Sequence, residues 1–181
     1  MHESVLAFLK RHIDPKEIRH KRILEVGSGI VNGSPREIIQ PMKPSAYIGL
    51  DTAHGPGVDI VGSAEHLWQK FERESFDVVI STEMLEHVVN WRRVVSQLKL
   101  MVRPNGLLYV TTRSPGFPYH PYPIDVWRYT ADHFRQIFSD MKILVLADDP
   151  MVPGIFIKAK KATPFVEKDL STIEVTPMTP T

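Results

Sequence analysis

The sequence of 181 residues contains no cysteine. This absence excludes disulfide bonds, thiolate metal ligands and a cysteine nucleophile, and it fits a reducing compartment. Long apolar runs are also missing. The N-terminal stretch MHESVLAFLKRHID is interrupted by charged side chains, so it lacks both the apolar core of a signal peptide and the length of a membrane span. The sequence therefore predicts a cytoplasmic protein with no membrane partner.

Neither positive nor negative charge predominates in the sequence. The formal net charge is +1, and no long block of like charge interrupts the chain. The densest basic spot contains Lys158, Lys160 and Lys161, which we interpret as a solvated face. The charge pattern thus gives no indication of a nucleic-acid partner, and the acceptor expected below is a small molecule or a saccharide. No feature of the sequence indicates an oligomeric state.

Short apolar runs alternate with segments of helical periodicity. The predicted strands are 22–26, 47–50, 58–61, 76–80, 107–111, 142–146 and 155–159, and the predicted helices are 3–13, 35–40, 64–71, 90–102 and 130–139. This alternation predicts an α/β fold with a mostly parallel sheet covered on both faces. We expect one domain over residues 1–161. The last twenty residues, 162–181, contain three prolines and little periodicity, which predicts a flexible C-terminal tail.

A glycine-rich turn, LEVGSGIVNGSPRE at residues 24–37, follows the first predicted strand. Gly27 and Gly29 fit a dinucleotide fingerprint, but the third glycine, Gly33, comes one position too late. Ser34 and Glu37 match a capping box, in which each side chain binds the other residue's backbone N–H. Capping would occupy donors that a pyrophosphate needs, so the turn favours a ligand with an amino-acid end and a positive charge.

Two carboxylates accompany this turn. Glu25 lies near the end of the first strand, where it would repel phosphate and attract an ammonium or sulfonium group. Asp51 ends the second strand, a position from which an acidic residue binds ribose hydroxyls. Each residue also has a purely structural interpretation, since Glu25 can pair with a neighbouring cation and Asp51 can cap a helix. Their common placement on one strand–turn–helix–strand unit favours a nucleoside site.

Five segments in matching order resemble class I S-adenosylmethionine (AdoMet)-dependent methyltransferases, in particular the small domains labelled type 11. These segments are ILEVGSG, YIGLD, VDIVGSAEHL, FDVVISTEMLEHV and LKLMVRPNGLLYVTT, within residues 20–160. The resemblance implies a Rossmann-like fold with a mostly parallel seven-stranded sheet and AdoMet as the cofactor. It places the methionine part on Glu25, Gly27 and Gly29, the ribose on Asp51, the adenine on Ser63 and Ala64, and the sulfonium above Ser81 to Glu83. The sequence departs from the family where Val31 and Ser63 replace a common glycine and aspartate.

The segment Glu83-Met-Leu-Glu86-His87 superficially matches an inverted zinc motif, but its first ligand is glutamate. On a helix, Glu83, Glu86 and His87 would share one face and form a carboxylate-rich metal site. The alternative is a polar cluster at a helix terminus, which we favour, so no metal is predicted. No G-x-S-x-G nucleophile elbow occurs in the sequence.

Residues 113–129, RSPGFPYHPYPIDVWRY, contain four prolines and follow the fifth predicted strand. Long ordered loops in compact domains are usually functional, so this loop is expected to form the acceptor pocket and its lid. Its aromatic residues are Phe117, Tyr119, Tyr122, Trp127 and Tyr129, of which the last two can also serve as core anchors. If the acceptor needs a base, His120 is the predicted catalytic group and Asp125 its orienting partner.

The sequence therefore predicts an AdoMet-dependent methyltransferase that methylates oxygen or nitrogen of a small-molecule or sugar-containing acceptor. A non-catalytic AdoMet-binding module remains an alternative because the chain is short. An NAD-linked oxidoreductase is a weaker alternative, since the late third glycine, the Ser34 cap and Glu25 all oppose a pyrophosphate.

Overall fold

The computed structural model describes residues 2–121 and 124–178. Seven strands form one sheet in the order β3-β2-β1-β4-β5-β8-β7, and a small ribbon pairs β6 with β9. The strands are β1 (Arg22–Val26), β2 (Ala46–Asp51), β3 (Ile60–Val61), β4 (Phe76–Thr82), β5 (Val102–Arg113), β6 (Trp127–Arg128), β7 (Met141–Asp148), β8 (Gly154–Lys161) and β9 (Thr176–Pro177).

Strands β1 to β5 pair in parallel, and β8 enters antiparallel between β5 and β7. Their apolar side chains are buried along most of β1 and β4, as expected for strands covered on both faces. The carboxyl ends of the parallel strands meet at one edge of the sheet, the position where open α/β folds bind ligands. At this edge Glu25 of β1 lies opposite Gly49 of β2 and Ile80 of β4.

Helices cover both faces of the sheet. They are α1 (Glu3–His12), α2 (Pro15–Ile18), α3 (Pro35–Ile39), α4 (Trp91–Met101) and α5 (Ala131–Ile137), with 3₁₀ turns at Gln40–Met42, Ala64–Gln69 and Leu85–His87. Helix α1 packs its apolar residues against one face, together with Ile39 of α3. Helices α4 and α5 contribute to the larger core on the other face. The predicted α/β fold is therefore confirmed, including its mostly parallel seven-stranded sheet.

Local capping differs from the sequence prediction at α3. The Ser34 hydroxyl accepts a hydrogen bond from the backbone N–H of Arg36, and the N–H of Glu37 binds the Ser34 carbonyl instead. The reciprocal capping box is therefore wrong, although Ser34 does cap the helix. Helix α5 begins at the predicted Thr130 cap, which accepts from the N–H of His133 while the His133 ring accepts from the N–H of Thr130.

Part of the C-terminal segment packs into the core, although the sequence predicts a flexible tail. Leu170, Ile173 and Val175 are buried and belong to the main core. Arg92 of α4 donates to the carbonyls of Leu170 and Ile173, and β9 pairs with β6. The structure therefore packs residues 170–177 of the predicted tail against the domain, although the sequence shows no helical or strand period there. Residues 179–181 lie outside the described part.

The basic spot is also less exposed than predicted. Lys158 is buried and its ammonium contacts both carboxylate oxygens of Glu17 at 2.8 and 2.9 Å. Lys161 is buried too and donates to the carbonyls of Lys99 and Val102. These two lysines tie elements of the fold together and do not form a solvated face. Among the described residues, no helix has the length and apolar character to cross a membrane.

Candidate active site

The glycine turn after β1 packs closely against the ends of the neighbouring strands. Gly27 has a φ of +83°, and a Cβ placed there would lie 3.1 Å from the Met84 side chain. The N–H of Gly29 donates to Asp51 Oδ2 at 2.8 Å, and a Cβ at Gly29 would lie 3.0 Å from the same oxygen. The absence of side chains thus lets the turn pack closely against Met84, which follows β4, and against Asp51 at the end of β2.

Glu25 is buried beneath the turn, with 2 % of its surface exposed. The Tyr47 hydroxyl donates to Glu25 Oε2 at 2.7 Å, and the Arg36 guanidinium lies 4.6 Å from the centroid of the Tyr47 ring. Burial raises the pKa of Glu25 to about 7, although the Tyr47 hydrogen bond and the Arg36 charge lower it. A cation placed beside such a carboxyl favours its ionised form, so Glu25 suits a positively charged ligand group.

The predicted nucleoside contacts lie on the adjoining strand ends. Asp51 ends β2, and its Oδ1 accepts from the N–H of Thr52 at 2.6 Å. Ser63 follows β3 and caps the next 3₁₀ turn by accepting from the N–H of Glu65 at 3.2 Å. Ala64 is buried beside it. Asp51 keeps free acceptor capacity, because each carboxylate oxygen carries more than one lone pair.

Ser81 and Glu83 lie at the end of β4, but their side chains are placed differently. Ser81 is fully buried, whereas Glu83 follows the strand in a left-handed conformation with a φ of 54°. The Glu83 carboxylate forms an ion pair with the buried Arg113 and accepts from the Thr111 hydroxyl at 3.3 Å. Its Oε2 also lies 3.0 Å from Nδ1 of His2. The Glu83 side chain, which the family resemblance places near the sulfonium, is thus bound by protein groups.

A second polar group, here called the EHH cluster, consists of Glu86, His87 and His120. Glu86 is completely buried, and its Oε2 accepts from the Thr112 hydroxyl at 2.7 Å. Glu86 Oε1 has no hydrogen-bond partner, and it lies 3.8 Å from Nε2 of His87 and 3.9 Å from Nε2 of His120. The two imidazole rings are in edge-to-face contact at 4.9 Å. Burial raises the pKa of Glu86.

The sequence motif Glu83-Met-Leu-Glu86-His87 does not form the single helical face that would make it a carboxylate-rich site. Glu83 binds the hydroxyl of Thr111 and Glu86 binds that of Thr112. Neighbouring residues in a strand point to opposite faces, so the two glutamates lie on opposite faces of β5. The polar cluster in the structure therefore contains Glu86, His87 and His120, whereas the sequence motif groups Glu83 with Glu86 and His87.

Asp125 organises the loop that carries His120. Its Oδ2 lies 3.0 Å from His120 Nδ1 and accepts from the His120 backbone N–H at 2.9 Å. Both carboxylate oxygens also bind the buried guanidinium of Arg128. Burial lowers the pKa of His120, which favours its neutral ring. Burial alone would raise the pKa of Asp125, but the hydrogen bonds and charge of Arg128 hold it below its usual range.

The loop aromatics divide between anchoring and exposed positions. Tyr129 is buried and its hydroxyl donates to the Leu85 carbonyl, while the Trp127 indole N–H donates to the Val88 carbonyl at 2.9 Å. Tyr119 remains 42 % exposed, and Tyr122 lies outside the described residues. Trp127 and Tyr129 therefore anchor the loop, as the structural alternative for them predicts.

The structure places Glu25, Gly27, Gly29 and Asp51 at one sheet edge and brings His120 within 3.0 Å of Asp125. The contacts of Tyr47 and Arg128 are not among those that the sequence predicts. The Asp-x-x-Arg spacing at 125–128 was visible in the sequence, but only the fold shows that both groups are buried and share two oxygens.

Comparison with known proteins identifies the fold and the family. A family model described as a methyltransferase domain matches residues 1–147. The chain aligns over 87 % of its length with 96 % of a putative AdoMet-dependent methyltransferase structure from Listeria monocytogenes, at 13 % identity and a TM-score of 0.68. It also aligns over 88 % of its length with 77 % of a Burkholderia thailandensis N-methyltransferase structure that holds S-adenosylhomocysteine, at 12 % identity and a TM-score of 0.68.

Curated relatives share more sequence but extend further. A phthiotriol/phenolphthiotriol dimycocerosates methyltransferase from Mycobacterium leprae is 31 % identical over 83 % of this chain and 56 % of the relative. A Rhizobium rhizogenes ubiquinone biosynthesis O-methyltransferase is 32 % identical over 59 % of this chain and 50 % of the relative. The chain spans about half of the length of these two relatives and less of others, such as 40 % of a Mycobacterium ulcerans relative. The class I methyltransferase resemblance is confirmed: the chain belongs to the methyltransferase domain family.

Proposed function

We propose that this chain binds AdoMet at the glycine turn and methylates a hydroxyl group of a small-molecule acceptor. The observation that carries the proposal is the juxtaposition of a buried Glu25, a glycine turn whose Gly29 is exposed, and Asp51 at one sheet edge. A carboxyl group below the turn suits the ammonium of an amino acid, and Asp51 suits vicinal hydroxyls of a ribose. Together these groups match the two polar ends of one nucleoside–amino-acid cofactor.

The remaining cofactor contacts follow from the strand order. The adenine would lie against Ala64 beside the Ser63 cap, since β3 neighbours β2. The reactive end would lie over the end of β4, where Ser81 is buried and the Glu83 backbone turns sharply. The Glu83 carboxylate is already paired with Arg113. We therefore propose that Glu83 shapes this end of the pocket through its backbone and not through its charge.

When bound, AdoMet supplies an electrophilic methyl group on a positively charged sulfur. The chain's own contribution is to position the acceptor and to receive its proton. We assign the second task to His120, because Asp125 lies 3.0 Å from Nδ1 and can fix the ring, which leaves Nε2 as the accepting atom. Asp125 acts here as a positioning residue.

The acceptor is proposed to carry an apolar body. Exposed apolar side chains flank the EHH cluster along the chain, with Val89 at 66 %, Tyr119 at 42 % and Ile124 at 38 % exposure. The relatives named for phthiotriol/phenolphthiotriol dimycocerosates and for ubiquinone biosynthesis are consistent with a hydroxylated apolar acceptor. A sugar-containing acceptor stays a prediction from the sequence and belongs in the same assay panel.

The first test is calorimetric titration of the chain with S-adenosylhomocysteine, with NADH in parallel. We expect micromolar affinity for the first ligand and no binding of the second. Asp51→Ala should weaken binding, whereas Asp148→Ala, an exposed carboxylate at the other end of the sheet, should leave it unchanged. Binding of NADH alone would overturn the cofactor assignment.

The second test measures transfer of a labelled methyl group from AdoMet to phenolic, aliphatic and sugar hydroxyl acceptors. His120→Ala should reduce turnover by about 100-fold, the usual contribution of a general base, without changing S-adenosylhomocysteine affinity. Cofactor binding without transfer to any acceptor would favour the non-catalytic binding module. Unchanged turnover in the variant would remove His120 as the base.

A further inference from the structure

We infer that the EHH cluster is a binding site for one divalent transition-metal cation, with Glu86, His87 and His120 as its ligands. These residues each offer one ligand atom, and the three atoms lie within 4.8 Å of one another. Two imidazoles with one carboxylate form a donor set suited to zinc and to other first-row divalent cations. The inference concerns a second ligand of the chain and does not depend on AdoMet binding.

The buried, unpaired oxygen of Glu86 is the strongest indication of a ligand. Burial of a carboxylate oxygen without a hydrogen bond is unfavourable, and Oε1 is such an atom in a fully buried residue. It faces the Nε2 atoms of both histidines at 3.8 and 3.9 Å. Ligands around tetrahedral zinc lie roughly 3.3 Å apart, so coordination would shorten these two distances by about 0.5 Å, and the distance between the two histidine ligand atoms, which is at most 4.8 Å, by no more than about 1.5 Å.

The outer contacts of both histidines prepare them as ligands. Nδ1 of His87 contacts the Ile124 carbonyl, and Nδ1 of His120 lies 3.0 Å from the Asp125 carboxylate. A carbonyl or carboxylate at Nδ1 holds the proton there, which leaves the Nε2 lone pair free for a metal. The Thr112 hydroxyl donates to the other oxygen of Glu86 and so orients the carboxylate. All three ligands therefore have the second contact that orients protein metal ligands.

Access to the cluster runs from the side of His120, whose side chain is 35 % exposed, while His87 is 17 % exposed. A cation held by three protein atoms keeps at least one open position for water or an acceptor oxygen. Nε2 of His120 cannot accept a proton while it binds a metal. With the site occupied, the cation would polarise the acceptor hydroxyl in place of the imidazole.

The test uses the full, tag-free chain after treatment with a chelator and removal of the chelator. Titration with Co²⁺ should give one equivalent of binding with visible d–d absorption, and Zn²⁺ should displace the Co²⁺ and abolish the bands. Glu86→Gln retains the shape of the side chain, and His120→Ala alters a partly exposed group. Each should weaken Zn²⁺ affinity at least about 100-fold, the upper range for disruption even of outer contacts.

His54→Ala is the matched control, because His54 is exposed and outside the cluster. Its Zn²⁺ affinity should equal that of the unaltered chain. Absence of stoichiometric Co²⁺ binding would overturn the inference, as would equal affinity in the unaltered chain and in His120→Ala. Because these readouts need no AdoMet and no acceptor, they distinguish failure of the metal site from failure of the proposed methyl transfer.

Discussion

Replacement of Glu25 by glutamine tests whether a buried carboxyl group under the glycine turn binds the cationic end of the cofactor. The pKa of Glu25 rises from 4.5 to about 7, mainly because of burial; the Tyr47 hydrogen bond and the Arg36 charge oppose this rise, and Asp51 and Asp59 add to it. An ammonium group beside Glu25 would favour the ionised carboxylate. Ligand binding is then linked to loss of a proton, and its affinity must increase with pH.

The size of the effect follows from the fraction of Glu25 that is ionised before binding. With a pKa of about 7, roughly one tenth of the groups are ionised at pH 6 and nine tenths at pH 8. The affinity for S-adenosylhomocysteine should therefore be about tenfold higher at pH 8 than at pH 6. Calorimetry at both pH values, repeated in buffers of different ionisation enthalpy, measures the affinity and the number of protons released.

The Glu25→Gln variant provides the comparison, since its amide oxygen can still accept from Tyr47. It should bind more weakly at pH 8 and lose most of the change between pH 6 and pH 8. An equal pH dependence in the variant, or none in the unaltered chain, would refute the assignment of Glu25 to the cationic end.

The same shift predicts a stability effect without ligand. The folded pKa lies above the unfolded value, so the stabilisation from the protonated group is complete below pH 4.5 and is lost as the pH rises through about 7. A shift of this size corresponds to about 3 kcal/mol. Urea unfolding at pH 8 should therefore show the Gln variant to be more stable than the unaltered chain, and a less stable variant would contradict the argument.

Three further substitutions test other parts of the structure. Asp51→Ala should weaken S-adenosylhomocysteine binding by about 1.5–3 kcal/mol, the range for a hydrogen bond to a charged group. An unchanged affinity in calorimetry would contradict the assignment of Asp51 to the ribose. Arg128→Met leaves the buried Asp125 carboxylate without its cation, so urea unfolding should show a loss of about 3–5 kcal/mol; a loss below 1 kcal/mol would contradict the buried pair. Ile173→Ala should lower the free energy of unfolding by about 2–5 kcal/mol in the same assay, because Ile173 is buried. The exposed Val166→Ala is the control and should change this free energy little. Equal effects of the two variants would mean that the C-terminal segment does not pack in solution.

Much of the fold could be predicted because each parallel strand carries its own apolar run. The residues of β1 and β4 are buried along almost their whole length, and this continuity is visible in the sequence. The ends of these strands then fix the edge where Glu25 and Asp51 meet. Local pattern and strand order therefore supply the cofactor side of the candidate site without any knowledge of side-chain contacts.

The C-terminal segment could not be predicted in this way. Its buried residues follow no helical or strand period, and their partners on α4 are about 80 positions away in sequence. Lys158 pairs with Glu17, which is 141 positions away in sequence. Contacts of this kind depend on tertiary structure, and a single sequence contains no local signal for them.

The EHH cluster shows how one backbone conformation decides which side chains can cooperate. If residues 83–87 were one regular helix, Glu83 and Glu86 would lie on a common face. The left-handed Glu83, with a φ of 54°, breaks that periodicity before the 3₁₀ turn begins at Leu85. One glutamate then pairs with Arg113 on one face of β5, and the other meets the histidines on the opposite face. The turn after β4 therefore separates the two glutamates. The charge of Glu83 is already compensated by Arg113, whereas the buried Oε1 of Glu86 has no hydrogen-bond partner and can bind a cation.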